Sequence, residues 1–196
     1  MKHIKLLKDN ISELEFNHLL TYTKSDKDIR EERRTRLLRI FSILWVTGLR
    51  VNETVQLTNS KMLELITTGQ TKVVAHKQKK EKIIYATKKG IKLLKNVFSD
   101  VNDSERFLLT TERASKTDKL QTNSVIRDVN TYLKKVFPHK TLTSHSFRQS
   151  LITELANKGI NVKTIAELIS HSDISTTYRY IKPSQVDIKN SLELVR

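Results

Sequence analysis

Four glycines and two prolines are all that punctuate this chain of 196 residues. Tight turns draw on those two residues more than on any others, so the scarcity restricts the chain to long helices and few hairpins. The length suits one domain, or one large and one small, and is enough to bury a proper core. Apolar residues at 37% and charged residues at 29% place it among globular rather than disordered chains. With no cysteine, a disulfide framework and a thiolate zinc site are both excluded. The six histidines are scattered without metal-ligand spacing, so neither a metal nor a cofactor is expected. No apolar run approaches the ~18 residues of a membrane span. The opening Met1-Lys-His-Ile-Lys5 lacks the apolar core of a signal peptide. A cytoplasmic location without membrane attachment is the expectation.

Periodicity fills in the outline. Ser12-Glu-Leu-Glu15 has the spacing of a capping box and predicts a helix with Leu14, Leu19 and Leu20 on its apolar side. A charged stretch over 24–36 leads into 37–45, apolar nearly all round and therefore a core helix. Gly48 would end it, with Arg50 at the turn into a further helix over 52–57. The one clear β signal is a pair of β-branched runs, 72–76 and 82–87, around the charged tip 77–81, which predicts a hairpin. Helix returns over 91–98, with Ile91, Leu94 and Phe98 on one stripe. Residues 99–121 are polar and turn-rich except for Phe107-Leu-Leu109. Helices are then predicted over 122–137, ending before Pro138, and over 146–158, 162–170 and 174–181, with Ile165, Leu168 and Ile169 inward. The fold class is mainly α with a small antiparallel β-sheet (α+β). It is read as a single domain over 1–196 with its core at 10–181 and a tail at 182–196.

The charge points to a partner. Lysine and arginine number 36 against 21 acidic residues, a formal net charge of +15. Such an excess favours a polyanion, nucleic acid foremost, although a generally cationic or ribosome-associated protein shares it.

The chemistry-bearing residues concentrate late in the chain. His145-Ser-Phe-Arg148 puts an imidazole and a guanidinium on one helix face. Arginine binds phosphate oxygens in a bidentate fork and never deprotonates. His171 follows 23 positions after Arg148, and Tyr180 nine after that. Upstream, Thr47-Gly-Leu-Arg50-Val-Asn-Glu53 supplies a second arginine, with Glu53 placed to brace it. Taken alone, each element has a plain reading: a solvated helix end, a helix-surface acid, a lysine-rich loop, or a helix-turn-helix over 151–181.

Their order resembles the tyrosine recombinases, the phage-type integrases, over roughly residues 10–185. The box around Arg50 is similar to the one around that family's first catalytic arginine. The step of nine from His171 to Tyr180 matches the family's spacing from histidine to nucleophile, with Tyr178 two residues earlier as the rival. The resemblance assigns the family's hairpin lysine to Lys77, with Lys79, Lys80 and Lys82 close by. Gln149 stands where the family often has histidine, and Ser170 where it often has glycine before the histidine. A further departure is expected in the N-terminal helical domain that most members carry: about ten residues precede the first predicted helix, as in a short member or an excised catalytic domain.

The resemblance implies a site-specific recombinase acting on double-stranded DNA. Arg50, Arg148 and His171 would cradle the scissile phosphate. Tyr180 would form a 3′-phosphotyrosyl link, with His145 as general base and Lys77 protonating the departing 5′-oxygen. It also implies a homotetramer on DNA built from two dimers, a monomer or weak dimer when free, and a nucleoid-associated protein. In the tail, Ile188, Leu192 and Val195 fall on one helical stripe that could pack on a neighbouring protomer or on its own domain. Three alternatives remain open at this point. They are a type IB topoisomerase-like strand transferase, a non-catalytic helix-turn-helix regulator and a metal-dependent nuclease.

Overall fold

Ser12 and Glu15 cap one another at the start of α1 (Glu13–Ser25), as the S-x-x-E spacing predicts. The Glu15 amide donates to the Ser12 hydroxyl at 3.3 Å and the Ser12 amide to the Glu15 carboxylate at 2.8 Å. That cap sets the helix phase. Phe16, Leu19 and Thr23, three and four apart, turn inward, and Leu20 packs partly buried against them. Leu14, expected on the apolar side, is 83% exposed. It lies two residues from Phe16, which is the opposite side of a helix with 3.6 residues per turn.

The computed structural model describes residues 9–74, 81–102, 104–110, 119–170 and 174–178. They fall into two units, Met1–Leu151 and Ile152–Arg196.

The first unit is organised around α2 (Glu31–Thr47), which begins inside the charged stretch rather than at Leu37. Gly48 ends it in the left-handed region, at φ 62°, and its amide donates to the Leu44 carbonyl at 3.0 Å. A β-carbon at Gly48 would lie 2.6 Å from Leu151 Cδ2, so conformation and space both demand glycine here. The short α3 (Val51–Thr54) follows, covering only part of the helix expected over 52–57. Next comes α4 (Asn59–Thr68), which the sequence reading passed over. Thr58 caps it, Gly69 ends it, and Met62, Leu65 and Ile66 face inward.

The hairpin is an antiparallel pair, β1 (Gln70–Val74) and β2 (Glu81–Tyr85), in the register Gln70↔Tyr85 to Val74↔Glu81. α5 (Lys88–Val97) returns across α2. Their approach is close: a β-carbon at Gly90 would meet Val46 Cγ1 at 2.7 Å. Within the polar stretch that follows, Leu108 and Leu109 are buried, and the Leu108 amide donates to the Leu57 carbonyl at 2.8 Å. α6 (Thr122–Val136) stops just before Pro138, where the missing donor and the ring forbid continuation. The first turns of α7 (Ser144–Asn157) complete this unit.

Two apolar clusters share α2. Leu37, Ile40, Phe41 and Leu44 join Phe16 and Leu19 of α1, Val129, Tyr132 and Leu133 of α6, and Phe147 of α7. Ile43 turns the other way, towards Met62 and Leu65 of α4, Val73 and Ile84 of the hairpin, and Leu94 of α5. Aromatic stacking fixes the first cluster. Phe16 stacks on Trp45 with centroids 4.4 Å apart, and Phe41 on Phe147 at 5.9 Å. Such pairs contribute about 0.5–1.5 kcal/mol each beyond the area they bury.

In the second unit the end of α7 packs with α8 (Val162–Ile169) through Ile152, Ile165 and Ile169. Leu168, expected inward with them, lies at the surface. Asn161 caps α8 by accepting from the Lys163 amide at 2.8 Å. Ser170 ends it at φ 53°, a left-handed conformation that suits glycine better. α9 (Ile174–Tyr178) lies against α8. Among the described residues no helix is long and apolar enough to cross a membrane.

Candidate active site

Arg50 stands at the junction where α2 has just ended and α3 begins, in extended backbone with φ −76° and ψ 152°. Its own neighbour three residues on holds it. The Arg50 amide donates to Glu53 Oε2 at 2.9 Å, and its Nη1 donates to Oε1 at 3.3 Å. The Glu53 side chain is fully buried, and leaving such a carboxylate unpaired would be costly. It takes a third partner from the hairpin: Lys82 Nζ donates to Oε2 at 3.0 Å. Glu53 thus bonds both the amide and the guanidinium of Arg50, with Lys82 as its further partner.

Lys82 arrives by strand alternation. Along β2, Lys82 and Ile84 turn to the inner face while Glu81, Ile83 and Tyr85 face outward. Its side chain is only 9% exposed.

Arg148 reaches the same stretch of backbone from α7. Its Nη1 donates to the Gly48 carbonyl at 2.7 Å, and the residue is 5% exposed. Several contacts set its position. Phe147 beside it is locked between Phe16 and Phe41. The Ser144 amide at the start of the helix donates to Asn130 Oδ1 of α6 at 2.9 Å. Six residues later the Ser150 hydroxyl donates to the Ile11 carbonyl and accepts from the Ile11 amide, at 2.7 and 2.9 Å.

The electrostatics follow from this crowding. Burial pushes the Glu53 carboxyl up, but Lys82, the Arg50 amide and the Arg50 charge outweigh it and hold the group below the usual carboxylate value. Lys82 is pulled below an ordinary lysine. Burial is the main cause, and the positive charges of Arg148 and Arg50 add to it against the attraction of Glu53. Both guanidiniums are therefore close enough to be felt at Lys82. Arg50 and Lys82 both pair with one buried carboxylate while the Arg148 charge acts on Lys82, which leaves a surplus of positive charge suited to an anionic ligand.

The other candidates are placed as follows. His145 is exposed on the first turn of α7, one turn before Arg148. Lys77, Lys79 and Lys80 lie outside the described residues, as do His171, Tyr180 and the tail 182–196. Tyr178, the last described residue of α9, is 56% exposed. Among the described residues no group of three or more histidine and acidic side chains could hold a metal ion. Lys82, named in the sequence analysis only as a neighbour of Lys77, is the hairpin lysine that pairs with Glu53. Its signal was there in the hairpin, as a lysine on the apolar side of the strand's alternation.

The fold and these boxes can be set beside known proteins. The model of the phage integrase family matches residues 9–186, and the chain belongs to that family. The tyrosine recombinase XerC of Leptospira interrogans is 30% identical over 179 residues, spanning 89% of this chain and 55% of the relative. The tyrosine recombinase XerA of Pyrococcus furiosus is 28% identical over 190 residues, 96% of this chain and 62% of the relative. The chain thus spans little more than half the length of these relatives. Among solved structures, that of XerA recombinase superposes with a TM-score of 0.70 at 21% identity, covering 100% of this chain and 66% of the other. The Tn1549 transposon integrase in complex with a circular intermediate DNA gives 0.71 at 16% identity, covering 98% and 68%. These two share the fold: a mainly helical body with a small antiparallel sheet.

Proposed function

We propose that the chain is the strand-transfer part of a site-specific DNA recombinase, cutting and rejoining double-stranded DNA through a 3′-phosphotyrosine. The observation that supports this most is the joint anchoring of Arg50 and Arg148 on residues 48–53, inside a surplus of positive charge. DNA as the partner accords with the +15 net charge and with relatives named as recombinases.

In this reading Arg50, Arg148 and His171 hold the non-bridging oxygens of the scissile phosphate and neutralise the charge that builds up as phosphorus becomes five-coordinate. Positioning and electrostatics dominate phosphoryl transfer, and preset donors are worth most where water is excluded. The Tyr180 hydroxyl gives its proton to His145 and attacks phosphorus. The bond to the 5′-oxygen breaks, and that oxygen takes a proton from Lys77. The covalent link conserves the phosphodiester, so a partner strand's 5′-hydroxyl can reverse the step with the strands exchanged. The working assembly is a tetramer on DNA formed from two dimers, with the free protein a monomer or weak dimer in the cytoplasm near the nucleoid. The domain covers 1–196, with its core at 10–181 and the tail 182–196 available to a neighbouring protomer.

Covalent capture tests the reading. Wild-type and Tyr180→Phe proteins are incubated with fragmented genomic DNA, stopped with detergent and digested, and ends carrying a peptide scar are sequenced. Adducts at defined sites with wild type alone support it. Tight DNA binding by both proteins with no adduct from either would favour a non-catalytic DNA binder.

A further inference from the structure

Arg50 is held by a carboxylate that must not hold it too well. A guanidinium carries five N–H donors, and those spent on Glu53 are not available to a phosphate. Glu53 is fully buried and has Oε2 shared between the Arg50 amide and Lys82 Nζ, leaving Oε1 to Arg50 Nη1 at the longer distance of 3.3 Å. We infer that Lys82 is a positioning residue of the strand-transfer site, tying up Glu53 so that the Arg50 guanidinium is oriented yet keeps its remaining donors for substrate.

The inference rests on the proposed strand-transfer reading and gives β2 a task within it. Three observations carry it. Lys82 is only 9% exposed and already committed to Glu53, so it is badly placed to serve as a mobile proton donor to a DNA oxygen. Its strand is fixed by the β1 register, with Val73 opposite and Ile84 buried two residues on, so the ammonium is delivered at a set depth. A buried ion pair is seldom more stable than an apolar pair of the same size, so its presence suggests a role in orientation rather than in stability. Without Lys82 the Glu53 charge would fall to Arg50 alone. The guanidinium would then close on the carboxylate in a two-pronged pair and withdraw from the phosphate.

The test uses the full chain and a nicked duplex bearing a site recovered by covalent capture with wild type. Adduct formation is timed for wild type, Lys82→Met, Lys82→Arg, Glu53→Gln and the double variant Lys82→Met/Glu53→Gln, each checked for thermal unfolding. A parallel substrate carries sulfur in place of the departing 5′-oxygen, a leaving group that needs no proton. We expect Lys82→Met to slow adduct formation about 10- to 100-fold, the range of coupling between residues in one ion-pair network. Lys82→Arg should stay within about 3-fold of wild type, and the double variant should be no slower than Glu53→Gln. The Lys82→Met defect should persist on the sulfur substrate, where a Lys77→Met defect would vanish.

If Lys82→Met does not fold, the comparison of Glu53→Gln with the double variant still decides, because that pair leaves no orphaned carboxylate. A further drop in the double variant would overturn the inference, since Lys82 would then act independently of Glu53. Full recovery of Lys82→Met on the sulfur substrate would overturn it too, by making Lys82 the proton donor. An unchanged rate in Lys82→Met would do the same. Absence of adducts from wild type would instead defeat the strand-transfer reading itself.

Discussion

The Arg148 guanidinium hangs from the Gly48 carbonyl at 2.7 Å, two residues before Arg50. Two arginines that are 98 positions apart in sequence are thereby set on one short piece of backbone, the C-terminal cap of α2 and the turn that follows. The cap conformation is part of the site, because it aims that carbonyl.

Gly48→Ala should therefore damage both stability and chemistry. The substitution forces a left-handed L-residue and a 2.6 Å approach to Leu151 Cδ2, together about 2–4 kcal/mol. Denaturant titration reads the first effect, and adduct formation at a temperature where the variant is folded reads the second. Stability within about 0.5 kcal/mol of wild type, a typical surface value, would mean that the cap is less demanding than its geometry says.

Glu53→Gln keeps the shape but removes the charge and one of the two accepting oxygens, setting an amide NH2 against a donor. It should fold, losing about 1–3 kcal/mol as the buried Lys82 ammonium loses its counter-charge, and should cleave more slowly. Glu53→Leu removes every acceptor and should be worse on both counts. Equal behaviour of the two variants would show that the carboxylate only fills space.

Acid should weaken the fold below the ordinary carboxyl range. Asp26 is held low by the Lys135 ammonium, against its burial, with help from the Asp28 amide and the Tyr132 hydroxyl. Glu53 is held low by Lys82 and Arg50 against stronger desolvation. Both folded-state values lie below those of the unfolded chain, so the unfolded chain takes up protons first as pH falls. The stabilisation is complete above roughly pH 5 and drains away as pH drops through the lowered values. Denaturant midpoints should be level from pH 7 to about 5 and fall beneath 4, less steeply in Asp26→Asn. A decline already under way between pH 7 and 6 would point to histidine instead.

Ser170 is strained where the family often has glycine. Ser170→Gly should stabilise the second unit by about 0.5–1 kcal/mol, since relief of the left-handed strain at φ 53° outweighs the added freedom of the unfolded chain. Hydrogen exchange of α8 amides would register it as slower opening, and faster exchange would contradict it.

Much of this architecture was legible because local signals agreed with one another. The Ser12–Glu15 box, the Gly48 stop and the Pro138 limit each come from backbone chemistry that tertiary packing rarely overrides. The Arg50 box was readable because Glu53 lies three residues on and can close on the Arg50 amide. Other features depended on facts that a linear reading weighs poorly. Leu14 and Leu168 were misplaced because an apolar residue beside a stripe looks like a member of it, and helix phase alone decides. α4 was missed although Thr58, Gly69 and the Met62–Leu65–Ile66 spacing all mark it. The resemblance puts the family's hairpin lysine on Lys77 and leaves Lys82 as one of several lysines nearby. Its position two residues before Ile84, on the same side of β2, is what marks it as inward-facing.

The central claim is that Arg50 and Arg148 act on one scissile phosphate. Its most direct measurement is the adduct rate of Arg50→Ala and Arg148→Ala on a captured-site duplex, beside their DNA affinity. Removing one preset donor from a charge-developing oxygen slows chemistry about 10²–10³-fold. Each variant should lose at least that much in rate while binding DNA within about 10-fold of wild type, because many phosphate contacts share the affinity. Adduct formation at near wild-type rate in either variant would contradict the account.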